Sequence, residues 1–236
     1  MFAKDKLIIA LDVLDKGRCF ELVDELAEDV DIFKIGIAPF TGFGEELLDY
    51  LGKIGKKVFL DLKFHDIPNT VKNAACVAAG KNIFMMNFHC SGGFEMLRAA
   101  VDGVKSAAGA KRPILLGVTV LTSMDNGDIE SIGMKGTVED KVMEFAAIAR
   151  QAGMDGVVAS AHEIKRIKKE AGKDFLVVTP GIRPEWARGG DQKRVLTPKE
   201  AVEHGADYIV VGRPVIQAEN PGEAARCVLE EMEDSC

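Results

Sequence analysis

Asp61 and Lys63 stand two residues apart in the run Asp61-Leu62-Lys63-Phe64-His65-Asp66, at the end of an apolar stretch. On a strand, side chains alternate between faces, so residues two apart share one. An acid and an ammonium held side by side in a poorly solvated place can stabilise developing charge and move a proton. The plain alternative is an ion pair that only ties a strand end. Lys34 and Asp66 add a second pair of charges to the same region. That is more charge than a structural pair needs, and buried charge clusters are more often sites. A different chemistry is offered by Gly212-Arg213, after the apolar run Tyr208–Val211. Glycine permits close approach of an anion, and arginine adds a bidentate, charge-assisted grip. A simple strand-to-helix turn is the competing reading. The segment from Pro180 to Val195 holds Gly181, Gly189 and Gly190 with Arg183, Arg188, Gln192 and Arg194. Its length marks it as a candidate lid, against an ordinary exposed loop.

The elements that must position these residues alternate along the chain. Strands are expected near Leu7–Val13, Asp31–Ile35, Lys57–Leu62, Ile83–Phe88, Pro113–Val120, Gly156–Ser160, Phe175–Thr179 and Tyr208–Val211. Their unbroken apolar runs suit parallel strands buried on both faces. Helices are expected at Lys16–Ala27, Gly44–Leu51, Asn69–Ala79, Gly93–Ala107, Val138–Ala152, Ala161–Ala171, Pro198–His204 and Pro221–Met232. Thr197-Pro198 and Asn220-Pro221 read as an N-cap followed by proline in the first turn. Eight strands each followed by a helix predict an α/β protein, one (β/α)8 barrel spanning residues 1–236. An open doubly wound sheet would call for a GxGxxG turn after the first strand. Leu11-Asp12-Val13-Leu14-Asp15 stands there instead. In a barrel the strand C-termini converge on one mouth, which brings Asp12, Lys34, Asp61, Lys63, Thr119, Thr122, Ser123, Arg183 and Arg213 toward a common site.

Composition bounds the function. The 236 residues are 47% hydrophobic and 28% charged, as in a globular domain of barrel size. A net charge of −7 disfavours general binding to nucleic acid or to anionic membrane surfaces. The five cysteines are widely spaced and form no CxxC, which fits a reducing compartment, and no secretory or membrane-spanning stretch is evident. A cytoplasmic protein is the expectation. His89, His162 and His204 show no HxH or HxxxH spacing, so no metal site is expected. His65 reads as structural, Cys90 as a packed thiol, Trp186 as packed on the barrel or a subunit surface, and Lys165–Lys169 as a solvated helix face.

The run Asp61-Leu62-Lys63-Phe64-His65-Asp66-Ile67-Pro68-Asn69-Thr70 closely resembles the DxKxxDIPNT signature of orotidine 5'-phosphate decarboxylases. The resemblance continues at Leu11-Asp12, Phe33-Lys34-Ile35-Gly36, Val118–Ser123, Pro180–Pro184, Asp191–Arg194 and Val211–Pro214, in order from first strand to last. It implies a barrel of the ribulose-phosphate-binding type and a cofactor-free, metal-free carboxy-lyase. The reaction implied is loss of CO2 from orotidine 5'-phosphate to give UMP, the last step of de novo pyrimidine nucleotide synthesis. It implies that Lys34, Asp61, Lys63 and Asp66 form an alternating charge array, with Lys63 protonating the C6 carbanion beside Asp61. It further implies a homodimer in which Asp66 and Thr70 cross to the neighbouring site. Asp12 and Lys34 would meet the ribose, Thr122 the pyrimidine edge, and Arg183, Gln192, Gly212 and Arg213 the phosphate. Two other readings stand beside this one. A metal-dependent sugar-phosphate decarboxylase or aldolase of the same barrel type shares a similar DxKxxD. A non-catalytic nucleotide-binding protein would keep the barrel but need no proton donor beside an acid.

Overall fold

In the computed structural model, residues 3–81, 83–107, 111–187 and 196–233 are described. Eight parallel strands close into a barrel in sequence order. They are β1 (Leu7–Ala10), β2 (Ile32–Gly36), β3 (Lys57–Phe64), β4 (Met85–His89), β5 (Ile114–Val118), β6 (Gly156–Val158), β7 (Leu176–Thr179) and β8 (Tyr208–Val211). The ring shuts where β8 pairs with β1, Leu7 opposite Ile209 and Ile9 opposite Val211. The strands read as continuous apolar runs because both of their faces are covered. Ile8, Ala10, Ile32, Phe59, Met85, Leu116, Val178, Tyr208 and Val210 fill the barrel interior. The intervening residues, among them Leu7, Ile9, Phe33, Ile35, Leu60, Phe88, Val177 and Ile209, join the larger core beneath the helices.

The helices are α1 (Lys16–Leu26), α2 (Ile37–Lys53), α3 (Pro68–Ala79), α4 (Gly93–Ser106), α5 (Asn126–Ser131), α6 (Val138–Ala152), α7 (Ile164–Ala171), α8 (Pro198–His204), α9 (Arg213–Ile216) and α10 (Pro221–Glu233). Their ends follow local chemistry. Thr197 and Glu200 form a reciprocal capping box on α8, with Pro198 in its first turn and Gly205 in the left-handed conformation at its end. Asn220 accepts from the Glu223 N–H at 3.2 Å and so caps α10. Several elements depart from expectation, among them α2, α5, α9 and β3. The helix expected from Gly44 begins at Ile37 and bends at Phe43 (φ −155°, ψ 29°). The short helices α5 and α9 lie outside the expected helices. β3 runs on to Phe64, two residues beyond its expected end.

Candidate active site

The alternation that fills the barrel also builds its mouth. Moving two residues beyond interior positions leads from Ala10 to Asp12, from Ile32 to Lys34, from Phe59 to Asp61 and from Met85 to Asn87. The apolar layers therefore end in a polar one at the strand C-termini. Two adjoining cavities open there. One, of about 360 Å3, has Asp12, Lys34, Asp61 and Lys63 on one wall and Gly181, Arg183, Gly212 and Arg213 on the other. The second, of about 200 Å3, shares Lys34, Asp61 and Lys63 and extends to Thr122, Ser123 and the apolar Phe59, Val118 and Leu121. A concave pocket with a few convergent polar groups is the form small-molecule sites take.

Asp61 is the hub. Its Oδ1 accepts from Lys63 Nζ at 2.7 Å and from Asn87 Nδ2 at 2.6 Å. Its Oδ2 lies 3.1 Å from Lys34 Nζ, which also donates to Asp12 Oδ1 at 3.1 Å. Burial alone would raise the Asp61 carboxyl, but Lys34, then Lys63, with the Lys63 and Asn87 hydrogen bonds, hold it below the usual carboxylate range. Burial would likewise lower the Lys34 ammonium, and the charges of Asp61 and Asp12 more than offset that, so it is raised. Both groups therefore stay ionised at neutral pH. A dry carboxylate between two ammonium ions is a preorganised field.

Lys63 carries a backbone peculiarity. It is the non-glycine residue with positive φ (50°) among the described residues. Such a conformation costs roughly 1–2 kcal/mol and persists where the surroundings enforce it. Here the register of β3 against β4 breaks between Leu60 and Phe64. The Lys63 N–H donates to the Asn87 side-chain oxygen at 2.8 Å instead of to a strand carbonyl. Beyond Asn87, the His89 ring lies 5.6 Å from that of His65, tilted by 44°. Burial, then the nearby His65 and Lys63, lower the His89 pKa, with Asp61 opposing.

Most residues expected at a site meet here. Asp12, Lys34, Asp61 and Lys63 share one wall, Arg183, Gly212 and Arg213 the other, and Thr122 lines the second cavity. Lys34 pairs with Asp12 and Asp61, not with Asp66. Asp66 and Thr70 are exposed around the start of α3 and line neither cavity of their own chain. The Asp66 carboxylate instead accepts from the Ile67 N–H at 2.6 Å. Gln192, Arg188 and Arg194 lie outside the described residues. Trp186, expected on the barrel or on a subunit surface, is 51% exposed in the single chain. Cys90 is fully buried, and burial pushes its thiol up to about 12, as befits a packed residue. Asn87 was not singled out from sequence. Its signal was a lone amide inside the apolar run Met85-Met86-Asn87-Phe88, where an unpaired polar group would be costly.

Comparison with known proteins agrees with this geometry. The chain is 50% identical over 231 residues to the orotidine 5'-phosphate decarboxylase of Carboxydothermus hydrogenoformans, covering 97% of this chain and 96% of that one. It is 44% identical over 236 residues to that of Heliobacterium modesticaldum, covering 98% and 97%. The solved orotidine 5'-phosphate decarboxylase of Lactobacillus acidophilus superposes with a TM-score of 0.86 at 36% identity, over 96% of this chain and 98% of that one. A family model matches residues 5–228. Barrel, charge array and relatives converge, and the chain belongs to the orotidine 5'-phosphate decarboxylase / HUMPS family.

Proposed function

We infer that this enzyme decarboxylates orotidine 5'-phosphate to UMP and CO2. The observation that carries the reading is Asp61 held between Lys34 and Lys63 on one wall of a pocket whose other wall presents Arg183 and Arg213. A nucleotide lying across it sets its phosphate against Arg183, Gly212 and Arg213, with Gln192 completing the grip. Its ribose lies beside Asp12 and Lys34, and its pyrimidine enters the second cavity toward Thr122.

The chemistry follows from charge. Cleavage of the bond between C6 and the carboxyl carbon releases CO2 and leaves the electron pair on C6. No cofactor takes up that pair, so the site must stabilise it. Asp61 beside the substrate carboxylate repels it by roughly 1–4 kcal/mol at ~4 Å, the range from water-like to protein-surface dielectric. The Lys63 ammonium stabilises the growing charge on C6 and then transfers its proton there. Phosphate binding, remote from the bond that breaks, supplies energy that organises the closed site.

In this reading the chain works in the cytoplasm as a homodimer, and each subunit lends Asp66 and Thr70 to the other's pocket. Exposed Ile67 (68%), Val77 (65%) and Phe94 (37%), on and around α3 and the start of α4, support an apolar contact surface there. Among the described residues no helix is long and apolar enough to cross a membrane. A metal-dependent sugar-phosphate reaction is less well supported, because both oxygens of Asp61 are already engaged by ammonium and amide groups. The test is spectrophotometric loss of orotidine 5'-phosphate, with and without EDTA. Turnover unaffected by the chelator is expected. Absence of turnover, or its abolition by EDTA and restoration by a divalent ion, would overturn the reading.

A further inference from the structure

We propose that Asn87 is a positioning residue for the proton donor, holding Lys63 and Asp61 in reacting geometry through one amide. The inference rests on the roles given above to Lys63 and Asp61. Asn87 is 0% exposed, on the inner face of β4. Its oxygen accepts from the Lys63 N–H at 2.8 Å and its nitrogen donates to Asp61 Oδ1 at 2.6 Å. The chemistry of the neighbours sets the amide's orientation. A backbone N–H requires an acceptor and an ionised carboxylate requires a donor, so the flipped amide would leave both contacts repulsive.

Both bonds bear on the same event. The first replaces the strand hydrogen bond that the Lys63 N–H loses where the register of β3 and β4 breaks, and so holds Lys63 at φ 50°. That backbone turn aims the side chain so that Nζ reaches Asp61 Oδ1 at 2.7 Å. The second bond fixes the oxygen that Nζ meets. A side chain that donates and accepts at once, without charge, is what this position demands. Aspartate would set a second anion beside Asp61, and alanine would leave a buried N–H and a carboxylate oxygen each short of a partner.

The test compares Asn87→Ala, Asn87→Asp and Lys63→Ala with the wild type, measuring kcat and KM for orotidine 5'-phosphate and UMP affinity by calorimetry. In Asn87→Ala, kcat is expected to fall about 10- to 100-fold, the range for a lost buried hydrogen bond, while UMP affinity stays within about 3-fold. Asn87→Asp matches the native shape and keeps the acceptor for the Lys63 N–H, so it tests the same point should the alanine variant not fold. Its loss is expected to fall on kcat as well. A folded variant with wild-type kcat, or one that loses UMP affinity as steeply as kcat, would overturn the inference. Failure of both variants to fold would also overturn it, by making Asn87 a support of the barrel. Lys63→Ala separates the two levels. Near-normal turnover in that variant removes the proton-donor reading itself, whereas an inactive Lys63→Ala beside fully active Asn87 variants removes this inference alone.

Discussion

Replacing Lys34 by methionine keeps an unbranched apolar stem of similar reach and deletes one charge from the array. Its Nζ lies 3.1 Å from Asp61 Oδ2, and its side chain is only 10% exposed. At an effective dielectric of ~20 that contact is worth about 5 kcal/mol of attraction, most of it offsetting the dehydration of the two ions. The Asp12 contact counts for less because Asp12 is 57% exposed and solvent screens it. In Lys34→Met, Asp61 retains Lys63 and Asn87 but loses the largest influence holding its carboxyl down. Without the neighbouring ammonium the buried carboxylate is less favoured, so the folded Asp61 value should rise. The assay is the pH dependence of kcat/KM, whose acid limb should move upward in the variant. Folding gives a second readout with a definite sign. A depressed Asp61 contributes stability that is present above the unfolded value of about 3.9 and is lost as pH falls through the lower folded value. Raising the folded value shrinks that contribution. The raised Lys34 contributes stability below about pH 10.4 that is lost as pH rises through its folded value, and the variant lacks it at every pH. An acid limb that stays in place while the whole profile drops uniformly would refute the electrostatic coupling of Lys34 to Asp61.

Arg213→Ala should lower kcat/KM for orotidine 5'-phosphate by about 2–4 kcal/mol of transition-state stabilisation and leave the activity toward orotidine, which lacks the phosphate, nearly unchanged. Equal losses for both substrates would remove Arg213 from the phosphate. Mixing the inactive variants Lys63→Ala and Asp66→Asn should restore about a quarter of wild-type activity if subunits share sites, since half the dimers are then hybrids with one intact pocket. No recovery after subunit exchange would contradict sharing. Gly103→Ala should destabilise the fold by about 1–3 kcal/mol without changing kcat, read as a lower Tm, because a β-carbon on α4 there runs into the Lys72 carbonyl of α3. A Tm within error of the wild type would show that the two helices part easily.

The strands are legible in sequence because burial on both faces leaves unbroken runs such as Leu7–Ala10 and Tyr208–Val211, and a closed parallel barrel follows from their alternation with helices. Lys34, Asp61 and Lys63 are legible because charges at the ends of such runs need a reason. What stays hidden is set by tertiary contact. The helix expected from Gly44 begins seven residues earlier, at Ile37, with a bend at Phe43, packed beside β2 and β3. The left-handed backbone of Lys63 is invisible to any alternation rule, since lysine has no preference for it. It exists because an amide 24 positions later in the chain takes its N–H. Asn87 is faint in the sequence, an uncharged amide beside two methionines, and the broken ladder between β3 and β4 shows which N–H it meets.

The closure of the ring between Leu7 and Ile209 has a consequence for biosynthesis. Lys34, Asp61 and Lys63 are synthesised in the first third of translation, whereas Gly212 and Arg213 are added near its end. Until β8 docks against β1, the charged wall has no facing wall, and no nucleotide can be gripped at both ends. Domains made from such distant pairings form late and slowly, with loop closure preceding any reward. Ligand added during refolding should therefore accelerate nothing before the last strand joins, and should slow only the reopening of that final seam.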